Sequence, residues 1–190
     1  MWFGSAADLA EGASAFFTDA AAPLRNPDHA HLHSASIGFL WTNVSNAKKG
    51  RMVIGTAEPG APQGAMGKWG RAKATLQVTD WFGIVPDFII TLDANWWLQA
   101  SDAEAYALIE HELYHRAQDR DEYGAPKFNR QTGRPVFTMR GYDIEEFIGV
   151  VRHYGADAAG IRALIEAAEA EPEIAAVGIA QCCGTCRGAT

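Results

Sequence analysis

Two histidines stand four residues apart in the stretch His111-Glu112-Leu113-Tyr114-His115. On an α-helix that spacing sets both imidazoles on one face, one turn apart. Two neutral imidazoles and a third ligand leave one position of a tetrahedral zinc ion open to water. Glu112 flanks the pair, where a carboxylate can take the water's proton as general base and hand it on later. The chemistry implied is metal-assisted hydrolysis, with Zn2+ as cofactor. A bare H-E-x-x-H also arises by chance, so its surroundings must be tested.

Those surroundings read as a helix from Ser101 to Asp119, without Gly or Pro. Ser101 and Glu104 have the S-x-x-E spacing of a capping box, and Asp102 and Glu104 suit the positive end of the helix dipole. At about 100° per residue, Tyr106, Ile109, Leu113 and Ala117 form one stripe. Leu108, His111, Glu112 and His115 form another. Such a helix packs on one side and lines a site on the other. Leu113 and Tyr114 are uncharged, as a half-buried site requires. Arg116 fits less well, since a charge there needs an exit to solvent. The competing reading is an ordinary helix with two incidental histidines.

A third ligand must come from elsewhere. Gly141 to Phe147 opens a second helix, with Asp143 as a good N-cap. Ile144, Phe147, Ile148 and Val151 recur at helical spacing, predicting one buried face, and Gly155 suits the helix end. The candidates are Tyr142, Asp143, Glu145 and Glu146. Glu145 lies nearer the apolar face by about 40° of rotation and is preferred. Glu146 falls at the capping-box position relative to Asp143 and is a near-equal rival. Asp143 suits an acceptor that fixes the tautomer of a ligand histidine. Tyr142 suits a donor to the oxyanion of a tetrahedral intermediate. Taken alone, this stretch also reads as an amphipathic helix with a solvated acidic start.

Composition frames the rest. The chain has 190 residues, 48% hydrophobic and 21% charged, with a formal net charge of -7. That is enough for one core, and the acidic balance argues against a nucleic-acid-binding surface. No apolar run is long enough to span a bilayer, and Met1 to Gly12 lacks the features of a signal peptide. The expected location is the cytoplasm, or a particle assembled there. Residues 5–24 predict a first helix ending near Pro23. In Asp28-His29-Ala30-His31-Leu32-His33, three alternating histidines would share one face of a strand. A solvated strand entry is preferred to a second metal site, because no acidic or cysteine cluster accompanies them.

Strands are expected at Ser34–Val44, Arg51–Thr56, Arg71–Val78 and, most clearly, Asp87–Leu92 after Pro86. Asn46 to Gly50 reads as a turn. Ala57 to Gly70, with four Gly and two Pro, reads as a loop without phosphate-loop order. The strand before the motif helix is expected at the sheet edge, where unpaired N–H and C=O groups would receive an extended peptide substrate. Trp96 and Trp97 read as core and cap residues. Arg120 to Arg140 reads as an irregular crossing with a short strand in Pro135 to Met139.

At this point the chain resembles the putative phage metallopeptidases. The residues that carry the resemblance are LIEHELYH at 108–115, DIEEF at 143–147, VVRHYG at 150–155 and the DFIITL strand at 87–92. It covers about residues 32–155. The resemblance implies a compact zincin domain: strands, then the active-site helix, then a ligand-bearing helix. It implies His111 and His115 as metal ligands and Glu112 as base. Relatives often carry a His before the Asp, where this chain has Tyr142, which implies that a carboxylate or Tyr142 substitutes here. A more distant resemblance is to SprT-like and minimal thermolysin-like zincins.

The expected fold is therefore α+β: a mostly antiparallel sheet with an edge strand beside the H-E-x-x-H helix and a second ligand-bearing helix. An N-terminal helical segment would occupy residues 1–30, the zincin-like domain 31–155, and an Ala-rich helical extension 156–190. That extension would pack on the domain or on another subunit. Cys182, Cys183 and Cys186 form no closed disulfide framework and read as reduced thiols near a mobile end rather than a structural metal site. The functional expectation is a zinc-dependent peptidase acting on a peptide or protein, without a membrane partner. Phage structural proteins and self-association through the extension are further candidate partners. Two alternatives are a non-catalytic virion or assembly protein with a structural metal, and a SprT-like protease acting on DNA-associated proteins.

Overall fold

A computed structural model describes residues 1–13, 17, 25–48, 50–144, 148–155, 161–173 and 182–183. In chain order the elements are β1 (Phe3–Ser5), α1 (Ala7–Ala13), a 3-10 helix (Pro27–Ser34), β2 (Ile37–Thr42), β3 (Ala47–Lys48), β4 (Arg51–Pro59), α2 (Lys68–Phe82) and β5 (Phe88–Asp93). There follow α3 (Ala94–Trp97), α4 (Asp102–Tyr114), β6 (Arg116–Gln118), β7 (Phe137–Met139), α5 (Ile148–Tyr154), α6 (Ile161–Glu169) and β8 (Cys182–Cys183). The class is α+β with a mostly antiparallel sheet. The main sheet runs β1-β2-β5-β4-β3, with β8 also on β4; β6 and β7 pair separately. β2 and β5 are parallel, from Ile37 opposite Phe88 to Thr42 opposite Asp93. β4 and β5 are antiparallel, from Gly55 opposite Leu92 to Pro59 opposite Phe88.

Period-two alternation explains the two cores. Phe39, Phe88, Ile90 and Leu92 turn to one face and pack in one core with Leu108, Ile109 and Leu113 of α4, which Ile54 of β4 also joins. Leu40 and Ile89 turn to the other and pack with Val78, Trp81 and Phe82 of α2. Burial of Leu108, Ile109 and Leu113 contributes about 5–9 kcal/mol as an upper bound. That contribution fixes which side of α4 faces the sheet. Trp96 and Trp97 pack against the same core. α3 is capped by Asp93, whose Oδ1 accepts from the Asn95 and Trp96 amides at 2.8 and 3.3 Å.

Several expectations are corrected here. Arg71–Val78 is not a strand but the middle of α2. Gly83, at φ 73°, closes that helix in a left-handed C-cap that suits glycine. The helix rides largely exposed, with Val78 its buried residue, so no apolar stripe marked its period. The alternating histidines lie on the 3-10 helix, not on a strand; Asn26 caps it and Pro27 starts it. β5 is a central strand between β2 and β4, not an edge; its continuous apolar run suits burial on both faces. The strand that approaches α4 is β4, and residues 51–52, 53 and 55 of its outer side already pair with β3 and β8.

The first helix follows β1 and is described over Ala7–Ala13; residues 14–16 and 18–24, where it was expected to continue, lie outside the described residues. The motif helix stops at Tyr114, and Ala117 belongs to β6 instead, because Arg116–Gln118 pairs with Phe137–Met139. In the second helix, residues 145–147 lie outside the described residues. α5 ends at Gly155, whose N–H donates to the Val151 carbonyl. Ile148 is exposed, not buried: helical spacing marks an apolar face but not what covers it. Cys182 and Cys183 pair with β4 at Val53 and Gly55 rather than trailing free, and Cys186 lies outside the described residues.

Candidate metal centre

The site begins with the start of α4. The Ser101 hydroxyl accepts from the Glu104 amide, and the Glu104 carboxylate accepts from the Ser101 amide at 2.8 Å. This reciprocal box satisfies two helix-end donors and fixes where the helix starts. Ten residues later the motif emerges on the stripe expected of it. The His111 and His115 rings lie with centroids 5.0 Å apart and planes at 84°. Glu112, between them in sequence, is fully buried.

Glu112 is accommodated by a missing side chain. A Cβ on Gly55 of β4 would stand 2.8 Å from Glu112 Oε1 and 3.1 Å from a Leu108 methyl. Glycine therefore lets the carboxylate lie against the strand. Sequence reading placed Gly55 within a strand but gave it no role.

His115 is held from behind. It is the C-cap of α4, and its Nδ1 lies 2.9 Å from the Arg140 carbonyl oxygen. A carbonyl only accepts, so Nδ1 carries the proton and Nε2 keeps its lone pair. The Arg140 amide donates back to the His115 carbonyl at 2.9 Å, extending the β6–β7 pairing by one rung. Such outer hydrogen bonds orient a ligand histidine. The expected acceptor was Asp143; that carboxylate instead pairs with the Arg140 guanidinium. A backbone carbonyl in this role has no sequence signature.

Tyr142 stands near both imidazoles, its ring centroid 6.2 Å from His111 and 6.0 Å from His115. It is about half exposed, so it lies at the mouth of the site. Glu145 and Glu146 lie outside the described residues. Among the described residues no group of three or more His, Cys, Asp or Glu gathers. The described site is thus the histidine pair, Glu112 and Tyr142. His29, His31 and His33 do not assemble a second centre: His29 is buried, His31 is half-buried and His33 is exposed.

Burial holds His111 below its ordinary pKa, and the neighbouring His115 adds to the effect. Burial also lowers His115, opposed by its bond to the Arg140 carbonyl and reinforced by the Arg116 charge. Both shifts favour the neutral imidazole, the form that binds a metal.

A family model described as "Putative phage metallopeptidase" matches residues 11–169. The chain belongs to that family. No curated protein and no solved structure gives a match to it. The name of this phage metallopeptidase family implies a metal, and the residues fit one. Two imidazoles a turn apart, one with its proton held on Nδ1, and a carboxylate adjacent to them in sequence are donor types suited to a divalent cation. No described helix is long and apolar enough to cross a membrane.

Arg116 was expected to need an exit to solvent and does not have one; it is 1% exposed. Its Nη2 donates to the Ile89 carbonyl at 2.9 Å and its Nη1 to the Glu58 carbonyl at 3.1 Å. The guanidinium also stacks 4.7 Å from the Phe88 ring centre. Ile89 and Glu58 face each other across β5 and β4. Arg116 therefore fastens the end of the motif to the sheet.

His29 gives a pH prediction. Burial, with help from His31 and Arg140 and against the pull of Asp28, lowers its pKa to about 4. In the unfolded chain it titrates near 6.5. Between these values the unfolded state binds the extra proton, so stability falls as pH drops from 6.5 towards 4. The thermal midpoint should decline over that window, and less steeply in His29→Gln. Equal declines in both proteins would refute this role.

Proposed function

We propose that the chain is a zinc-dependent peptidase in which His111 and His115 hold the metal and Glu112 is the general base. The observation that carries this reading is the His111–Glu112–His115 arrangement with His115 Nδ1 tied to the Arg140 carbonyl. When bound, zinc would supply Lewis-acid polarisation of the scissile carbonyl and acidify a water. Glu112 accepts that water's proton and delivers it to the leaving amine nitrogen. Its burial keeps the carboxylate from being levelled by bulk solvent. Tyr142, at the rim, donates a hydrogen bond to the carbonyl oxygen as negative charge builds there. Glu145, with Glu146 as its rival, is the proposed third ligand. The substrate is a peptide or protein.

The test combines metal content with turnover. Purified protein should carry about one zinc per chain and cleave casein. A chelator should abolish cleavage, added zinc should restore it, and His115→Ala should lose both. Zinc retained without cleavage of any unfolded substrate would favour the structural-metal reading. Cleavage that depends on added DNA would favour a SprT-like activity.

A further inference from the structure

The histidine-bearing 3-10 helix has no part in that chemistry, yet with its cap Asn26 it grips the motif helix and the strand that follows it at three points. Asn26 Nδ2 donates to Glu110 Oε1 at 2.8 Å and to the Tyr114 hydroxyl at 2.7 Å. The Tyr114 hydroxyl donates onward to Asp28 Oδ2 at 3.1 Å. The His29 ring lies edge-on to Tyr114 at 4.6 Å, with its Nε2 3.8 Å from Glu110 Oε1. His31 Nε2 lies 2.8 Å from the Arg116 carbonyl oxygen, to which it must donate.

The gripped positions bracket the site. Glu110 precedes His111, Tyr114 precedes His115, and the Arg116 carbonyl follows it. Glu110 and Tyr114 are four apart and share one helix face, about 100° round from the face that carries the histidines. Held there, α4 cannot rotate about its axis or unwind at His115 without breaking these bonds. A ligand pair needs positioning to about 0.5 Å and 10–20°. Core packing alone sets one side of the helix, and this network supplies a second bearing.

We propose that the 3-10 helix Pro27–Ser34 is a positioning element for the metal-binding pair, with Asn26 and His31 as positioning residues acting through Glu110, Tyr114 and the Arg116 carbonyl. The proposal rests on the function proposed above. It also accounts for the Asp28-His29-Ala30-His31 run, which needs no metal of its own.

The test uses Co2+ as probe on the full chain, with affinity from competition against a coloured chelator and geometry from the visible absorption bands. His31→Ala should weaken Co2+ binding about tenfold, the lower end of what outer hydrogen-bond partners contribute, and should alter the bands. His31→Gln, whose amide can donate from nearly the same point, should restore most of both. Tyr114→Phe keeps the ring and the fold but loses the hydroxyl, and should shift the bands in the same sense. Wild-type affinity and spectrum in both His31→Ala and Tyr114→Phe would overturn the proposal while leaving the peptidase reading intact. If the wild type binds no Co2+, or binds it unchanged in His115→Ala, the metal reading itself falls and takes this inference with it.

Discussion

Glu112→Gln should lower peptide hydrolysis by about 10²- to 10⁴-fold, the range for loss of a general base, while zinc content stays at the wild-type level. The substitution is nearly isosteric, so the buried space beside Gly55 stays filled. What changes is that an amide cannot accept and return a proton. The zinc-loaded variant and wild type should be compared on one casein or peptide substrate. Activity within threefold of wild type would remove Glu112 from the reaction. Loss of zinc along with activity would instead assign the carboxylate to metal binding. The same comparison with Tyr142→Phe should give a smaller loss, since zinc would still polarise the carbonyl oxygen that Tyr142 serves.

Arg116→Met should cost about 2–4 kcal/mol of stability, because two carbonyls lose charged donors while remaining where they are. Replacing a buried ion pair by apolar residues is often harmless, but here the partners are backbone groups of β4 and β5 that cannot be replaced. Methionine keeps the bulk against Phe88 and Met139 but neither N–H. The thermal midpoint should fall by about 5–15 °C for a chain of this size. Arg116→Lys should recover less than half, because an ammonium does not fork to two acceptors. Urea unfolding with an unchanged slope would read the difference. A methionine variant within 1 kcal/mol of wild type would mean that the sheet satisfies both carbonyls alone.

What could be read from the sequence was what is local. The capping box at Ser101, the apolar spacing of Ile109 and Leu113 and the His111–His115 spacing all sit within one helix, and each recurs in the structure, although Leu108, read on the histidine stripe, joins the core as well. The Phe88–Leu92 run gave β5 directly. Misreadings arose where a short pattern fitted two periods. Arg71–Val78 alternates in hydropathy, yet good helix formers and Gly83 decided for α2. The histidines at 29, 31 and 33 alternate too, and the cap at Asn26-Pro27 was the overlooked sign. Tertiary partners were beyond reach. A charged residue after the motif says nothing of the Ile89 and Glu58 carbonyls that hold it, and the Arg140 carbonyl behind His115 carries no residue-type signal. For the third ligand, Glu145 and Glu146 fall outside the described residues.

The early stop of α4 has an electrostatic consequence. With Tyr114 its last residue, both imidazoles occupy the final turn, where aligned peptide dipoles leave roughly half a negative charge. A cation gripped there is drawn by the backbone itself, by about 0.3–1 kcal/mol over and above its ligands. An anion arriving at the same corner meets repulsion once the metal is gone, so a stripped protein should discriminate against acidic peptides more sharply than a loaded one.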